Sequence, residues 1–478
     1  MPVSRSASHR YGYGPFNGTT DADSSVSGLI RQMERFEPRS AAIAAAPQHL
    51  EVGSLLAENL MKKLARRKKA AMGNTAMPDL DDKRDSPQGK RLMGIRSPRN
   101  HYAELVDARF ATAVESDTPF MERLVHFWAN HFAVSADKLT VTGFAGLLEM
   151  DAVRPHLLGK FEDMLIAVEQ HPAMLLYLDQ VQSVGPNSPL GERIAARGGK
   201  RGGINENLAR EILELHTLGV RSGYAQSDVT DFAHALTGWT VSGLTKGPVA
   251  QAMKLNGNPG DFAFVAAIHQ PGTRRIIGQR YDQQGLAQGL SVLRDLARHP
   301  STAKHVATKL ARHFEGDDPS PALITRLEQN FIKTSGDLPT LYRILAESSE
   351  VRSATQAKYK TPWDWLISGH RALGLRKISA GQTAQILTQL GQPVWRPGSP
   401  AGFDDTAASW AGPDALFRRA EVAEKLAIFT PIGTNPMRLA TANLGAGLSP
   451  ATSQAIMQAE SPGQATALML VSAEFLRR

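Results

Sequence analysis

The sequence predicts a mainly α, multi-helix globular protein with one small inserted β-hairpin. Three observations carry that class. Apolar residues recur at helical spacing from about Ser27 onward, strand-like alternation is confined to the stretch between about Thr240 and Asp282, and no apolar run approaches the roughly 18–20 residues of a membrane span. With 478 residues and 42% hydrophobic content, the chain has enough apolar material for a large core.

Residues 1–100 read as a basic N-terminal helical segment ending in a flexible connection. They hold 17 Lys and Arg against 10 Asp and Glu, which is +7 of the whole chain's +8. The excess centres on MKKLARRKKAA at 61–71, which continues an amphipathic pattern from Leu55, Leu56 and Leu60 and so reads as the exposed end of a helix. No aromatic residues interleave the basic ones, so a solvated face accounts for them and no nucleic-acid partner is expected. From 71 to 100, Gly, Pro, Asp and Lys mix without period, as in an irregular connection. The N-terminus has no apolar signal core, which points to a cytoplasmic protein. The absence of cysteine excludes disulfides, thiolate metal ligands and a cysteine nucleophile, so any metal must take His, Asp, Glu or Asn.

Residues 101–245 form the central helical core and carry the polar motifs. In PFMERLVHFWANHFAVSADK at 119–138, His131 falls within an apolar arc, while Arg123, His126 and Asn130 occupy the opposite, polar face, where His126 and Asn130, at i and i+4, could meet a ligand together but are expected to be an exposed pair. In NENLAREILELHTLGV at 205–220, a helical wheel puts Asn207, Arg210, Glu211 and Glu214 on one stripe with apolar residues on both flanks, so the stripe faces a cleft or another helix. His216 points about 160° away from Glu214, which removes an apparent Glu-x-His ligand pair. Glu211 and Glu214, at i and i+3, could hold a divalent metal or exchange a proton, with His131 as a third group from a separate helix. The alternative is an ion-pair lock in which Arg210 neutralises both carboxylates. A basic loop at 183–203 precedes this segment. After it, Gly219 and Gly223 end the helix, and a second helix from about Ser227 makes a hairpin closing on Thr237-Gly238-Trp239. Trp239 and His269 could approach the same cleft. No phosphate loop, nucleophile elbow, HExxH pair or dinucleotide fingerprint is present.

Residues 246–285 hold the β-hairpin. Phe262, Phe264, Ala266 and Ile268 alternate, His269-Gln270-Pro271-Gly272 turns, and 274–278 resumes an extended pattern. Residues 286–478 return to helix: His299-Pro300 splits 286–314 into two, and further helices are expected at 321–334, 338–348 and 362–374.

Six motifs in order, ERLVHFWANHFAVSADK, HPAMLLYLD, NENLAREILELHTLGVRSGYAQSDV, ALTGW, ARHPSTAKHVATKLARHF and LGQPVWRPGSPAGFDD, resemble the bacterial family of unknown function DUF1800. The resemblance runs from SHRYGYGP to SAEFLRR, essentially the whole chain, and implies a largely helical fold with no established activity. It implies a partner of the sulfatase- or phosphatase-like class encoded nearby. Many relatives carry an export signal, which makes a periplasmic or envelope location the alternative to the cytoplasmic one. The motif matches at Asn130, His131, Asn205, Glu206, Asn207, Arg210, Glu211, Glu214 and His216. The resulting expectation is a polar cleft that binds a ligand or metal. Glu211, Glu214 and His131 would be its catalytic or metal-binding groups, and Asn130, Asn205, Asn207, Arg210, His216 and Trp239 its ligand contacts.

Overall fold

A computed structural model describes residues 5–16, 24–71, 97–198, 203–245, 257–353, 358–376, 381–431 and 433–478. Helices dominate it. Their starts follow local chemistry: Ser97, Ser188, Ser320, Thr361 and Ser461 each accept an N–H from the first turn, and each is followed at once by proline, whose missing N–H costs nothing there. The expected break at His299-Pro300 separates Leu286–Ala297 from Pro300–Phe314, and Pro321–Thr334, Leu338–Glu347 and Pro362–Leu373 stand where the spacing puts them.

Phe262–Phe264 and Arg274–Ile276 lie where alternation predicts strand, Ala266–Ile268 is a tight helical turn instead, and the pairing differs from the single hairpin expected. Phe262–Phe264 pairs antiparallel with Trp239–Val241, while Arg274–Ile276 pairs with Gln279–Tyr281. The turn at Ile277-Gly278, both at positive φ, closes the second pair in two residues, which leaves the first strand free for the earlier partner. Most of the expected connection at 71–100 and parts of the 183–203 loop and of the 246–285 insertion lie outside the described residues.

One apolar core runs through the helices, with Leu124, Trp128, Phe132, Phe161, Leu213 and Leu310 among its members. Two turns inside it are π-helical, Leu148–Val153 and Ile212–His216. The second corrects the wheel drawn for 205–220: only Asn207–Glu211 is α-helical, and the wider turn re-phases everything after it.

Charged groups knit distant segments at the centre. Arg123 lies 3.0 Å from Asp364, and Arg478 Nε lies 3.2 Å from the same carboxylate oxygen. Arg123 also donates to the carbonyls of Gly12 and His9, and Tyr11 donates its hydroxyl to Leu345 O at 3.0 Å. Arg123, Asp364 and Arg478 are all buried. Burial pushes the Asp364 carboxyl up, and the charges of Arg123 and Arg478 outweigh it, so it sits below the usual carboxylate range. An Asp364→Asn protein keeps the shape and leaves two guanidinium groups without their counter-charge. We expect it to lose about 3–5 kcal/mol of stability, measured by urea unfolding, with the wild-type slope retained.

Candidate functional site

Most of the polar face of the Pro119–His131 helix is covered. Arg123 and His126 are buried, and with Asn130 and His131 they line one side of a cavity of about 250 Å³. This corrects the exposure expected for His126, which Trp363 and Tyr13, from far along the chain, cover, while Asn130 is half-buried. Lys309, Arg312 and His313, on one face of Pro300–Phe314, form the second wall. Trp363 and Asp364 supply the floor, and a loop carrying Trp395, Phe403, Asp404 and Asp405 closes the cavity.

That loop is seated by backbone recognition. Asn130 donates to Phe403 O and accepts Phe403 N–H, both at 2.8 Å, a two-point clamp that suits an amide side chain, which carries a donor and an acceptor side by side. Gly402 has φ +83, and a Cβ there would collide with the Asn130 carbonyl oxygen. Trp395 takes φ +47, rare for an aromatic residue, and its indole N–H points to Glu149 at 3.3 Å. Arg109 lies over both tryptophans, 4.3 Å from the Trp363 ring centre and 5.2 Å from that of Trp395, while paired with Glu149 at 2.7 Å.

The neighbours of three cavity histidines fix which ring nitrogen holds the proton. Trp363 donates its indole N–H to His126 Nδ1 at 3.0 Å, so His126 carries its proton on Nε2. His131 Nε2 faces the carbonyl of His216 at 3.1 Å and must donate to it, which leaves Nδ1 as a bare lone pair. His313 Nδ1 donates to Asp405 at 2.8 Å and leaves Nε2 bare. In each ring the other nitrogen is buried and has no hydrogen-bond partner among the described residues: one donor on His126 and one acceptor each on His131 and His313. Burial holds His126 and His131 well below the ordinary histidine value, and it lowers His313 to about 4 despite Asp405. Burial works to raise the Asp405 carboxyl, and the charges of His313 and Lys358 overcome it and hold the group well below the usual range. Burial, reinforced by Arg312 and opposed by Asp405, lowers Lys309 to about 8.

The residues singled out from 205–220 lie elsewhere. Asn205 caps the chain locally, donating to Leu178 O and accepting Asn207 N–H, and Asn207 is exposed. Arg210 reaches Glu206 at 3.2 Å and Gln226 at 2.9 Å, with Glu214 at 3.7 Å. Glu214 accepts the Tyr224 hydroxyl at 2.6 Å. Arg210 thus stands between Glu206 and Glu214. Glu211 is half-buried, and burial with the nearby Glu214 raises its carboxyl against His216 and Arg210. His216 is buried and pairs with the buried Glu169 at 2.7 Å, and Trp239 is buried in its strand with the indole N–H unpartnered among the described residues. Of the residues expected to share a site, His131 and His216 come together, with ring centres 6.3 Å apart. Glu211, Glu214 and His131 do not form a group of three with donor atoms within 4.8 Å of one another.

The cavity walls are built from three of the segments quoted for the family resemblance, ERLVHFWANHF, ARHF and LGQPVWRPGSPAGFDD. The family model for DUF1800, a protein family of unknown function, matches residues 7–477. This chain belongs to the DUF1800 family. No match was found among curated proteins or among solved structures. Among the cavity groups of this DUF1800 protein, sequence reasoning picked out Asn130 and His131, assigned His126 to an exposed face, and passed over Lys309, His313 and Asp405. The signal that could have found them was the presence of His and Asp in the same quoted motifs.

The buried neutral histidines set the acid stability of the fold. His305, His313 and His370 are each lowered to about 4, burial being the largest cause, whereas the unfolded chain binds those protons near 6.5. Stability is therefore full above about pH 6.5 and falls as the pH drops from there towards 4, because the unfolded state binds the additional protons. Three such groups give a slope of up to about 4 kcal/mol per pH unit at mid-range. We expect the urea midpoint at pH 5 to fall well below that at pH 7.5, and a His370→Phe protein to show a shallower dependence.

Proposed function

We propose that this DUF1800 protein binds a small hydroxylated anion, whose hydroxyls can donate to bare imidazole nitrogens, in the cavity between the Pro119–His131 and Pro300–Phe314 helices, with the Asp405–His313 pair placed to take a proton from it or from a water beside it. One observation supports this most. His126, His131 and His313 all line one cavity, each has a buried ring nitrogen without a hydrogen-bond partner among the described residues, and burying polar atoms in this way is costly unless something satisfies them. A carboxylate on one imidazole nitrogen with a lone pair on the other is the arrangement of a general base. His126 carries a proton on Nε2, and Lys309, also in the cavity lining, supplies positive charge for an anion.

The volume sets the ligand's size. About 250 Å³ lies just under the roughly 300–1,000 Å³ of drug-sized pockets, which suits a compact metabolite. The sulfatase- or phosphatase-like partner implied by the family resemblance belongs to the same proposal, as does the choice between a cytoplasmic and an envelope location.

Thermal shifts against inorganic phosphate, small mono- and dicarboxylates, neutral polyols and small amines test the reading. Anions should raise the melting temperature by several degrees at saturating concentration, since a ligand at about 100 times its Kd adds about 2.7 kcal/mol. Lys309→Met and His313→Asn proteins should lose that shift while keeping a cooperative transition. Equal shifts in wild type and Lys309→Met, or shifts with amines alone, overturn it.

A further inference from the structure

Outside the cavity lining, four side chains from separate parts of the chain converge. His49 opens the His49–Ala71 helix, Asp151 sits in the Leu148–Val153 π turn, and His171 directly precedes the Pro172–Tyr177 helix. Their donor atoms all lie within 4.8 Å of one another, the one such group of three among the described residues. Asp261, just before the Phe262–Phe264 strand, faces His49 from the far side.

The distances and the missing hydrogen bonds decide what the group suits. His49 Nδ1 lies 3.4 Å from Asp151 Oδ2, and His49 Nε2 lies 3.6 Å from Asp261 Oδ1. Two ligands at about 2.1 Å from a tetrahedral ion stand about 3.4 Å apart, which is the His49–Asp151 spacing. His49 Nε2, Asp151 Oδ2 and His171 Nε2 are all buried and lack hydrogen-bond partners among the described residues, and His171 is only 6% exposed. Phe144 packs beside both imidazoles, at 5.3 Å from His49 and 6.3 Å from His171, and gives the site an apolar wall.

We propose that His49 Nδ1, Asp151 and His171 Nε2 bind one divalent transition-metal ion of the zinc class, with water in the remaining position. Two imidazoles and a carboxylate favour such an ion over calcium or magnesium, which take oxygen ligands. Asp261 then accepts from His49 Nε2 and orients its ring, the usual service of a carboxylate behind a metal-bound histidine. His171 Nδ1 accepts the Ala173 N–H at 3.2 Å, so the ring proton sits on Nε2 in the metal-free protein. The ion must displace that proton to Nδ1, which then can no longer accept the Ala173 N–H, so this helix cap is lost. The site is independent of the cavity and of the ligand proposed for it.

The test uses the untagged full chain, stripped with chelator and titrated with Zn²⁺ by calorimetry, with bound metal counted after desalting. One ion per chain is expected, and Ca²⁺ or Mg²⁺ in excess should leave it in place. Co²⁺ should give the visible absorption of a four-coordinate nitrogen and oxygen site. Asp151→Asn and His171→Gln should each weaken binding more than tenfold, and Asp261→Asn, which removes no ligand, by about 10–100-fold. Should a ligand variant fail to fold, the wild-type stoichiometry and Co²⁺ spectrum together with Asp261→Asn still decide. No stoichiometric ion in wild type, or unchanged affinity in a folded His171→Gln protein, overturns the proposal and leaves a His49 ion pair with Asp151 and Asp261.

Discussion

Asp364 held between Arg123 and Arg478 is the contact on which the rest of the molecule depends. A lone carboxylate in that position would be far too costly to keep ionised, and so would either guanidinium. Each charge therefore fixes the position of the others: the Pro119–His131 helix against the Pro362–Leu373 helix, residue 478 against both, and the carbonyls of His9 and Gly12 against Arg123. The net charge of the trio is positive. Arg123 and Asp364 also form part of the cavity boundary, so the ion cluster and the candidate site share a wall.

That sharing explains why a helix with polar residues on its second face can sit inside the protein. Arg123, His126 and Asn130 would each destabilise an apolar core, and each has found a specific offset. Arg123 has carbonyls and a carboxylate, His126 has the indole of Trp363, and Asn130 has both backbone groups of Phe403. Around the cavity histidines the offsets stop short, at the second nitrogen of each ring. Those bare atoms are the observation on which the proposed binding role rests.

What the sequence revealed and what it hid divide by distance along the chain. Helix starts such as Ser320-Pro321 and Thr361-Pro362, and the break at His299-Pro300, depend on neighbours within four residues and were readable. The partners of His126 lie 113 and 237 residues away, and Asp405 lies 92 residues from His313. No local pattern says which polar face will be covered by such contacts, so His126 looked exposed. The pairing of Phe262–Phe264 with Trp239–Val241 was hidden for the same reason. At 205–220 the failure was geometric: the wheel assumed about 100° per residue, and the π turn from Ile212 does not keep to it.

The central ion cluster also bears on the order of events during folding. Arg123 and Asp364 are 241 residues apart, and Arg478 reaches Arg10 O across 468. Contacts at such separations cost loop-closure entropy before they return any stabilisation, so chains that rely on them fold slowly and assemble their local helices first. The cavity has walls from three remote stretches and a floor from this cluster, so partly folded chains have helices but no pocket. A complete cavity is then a property of the finished molecule alone.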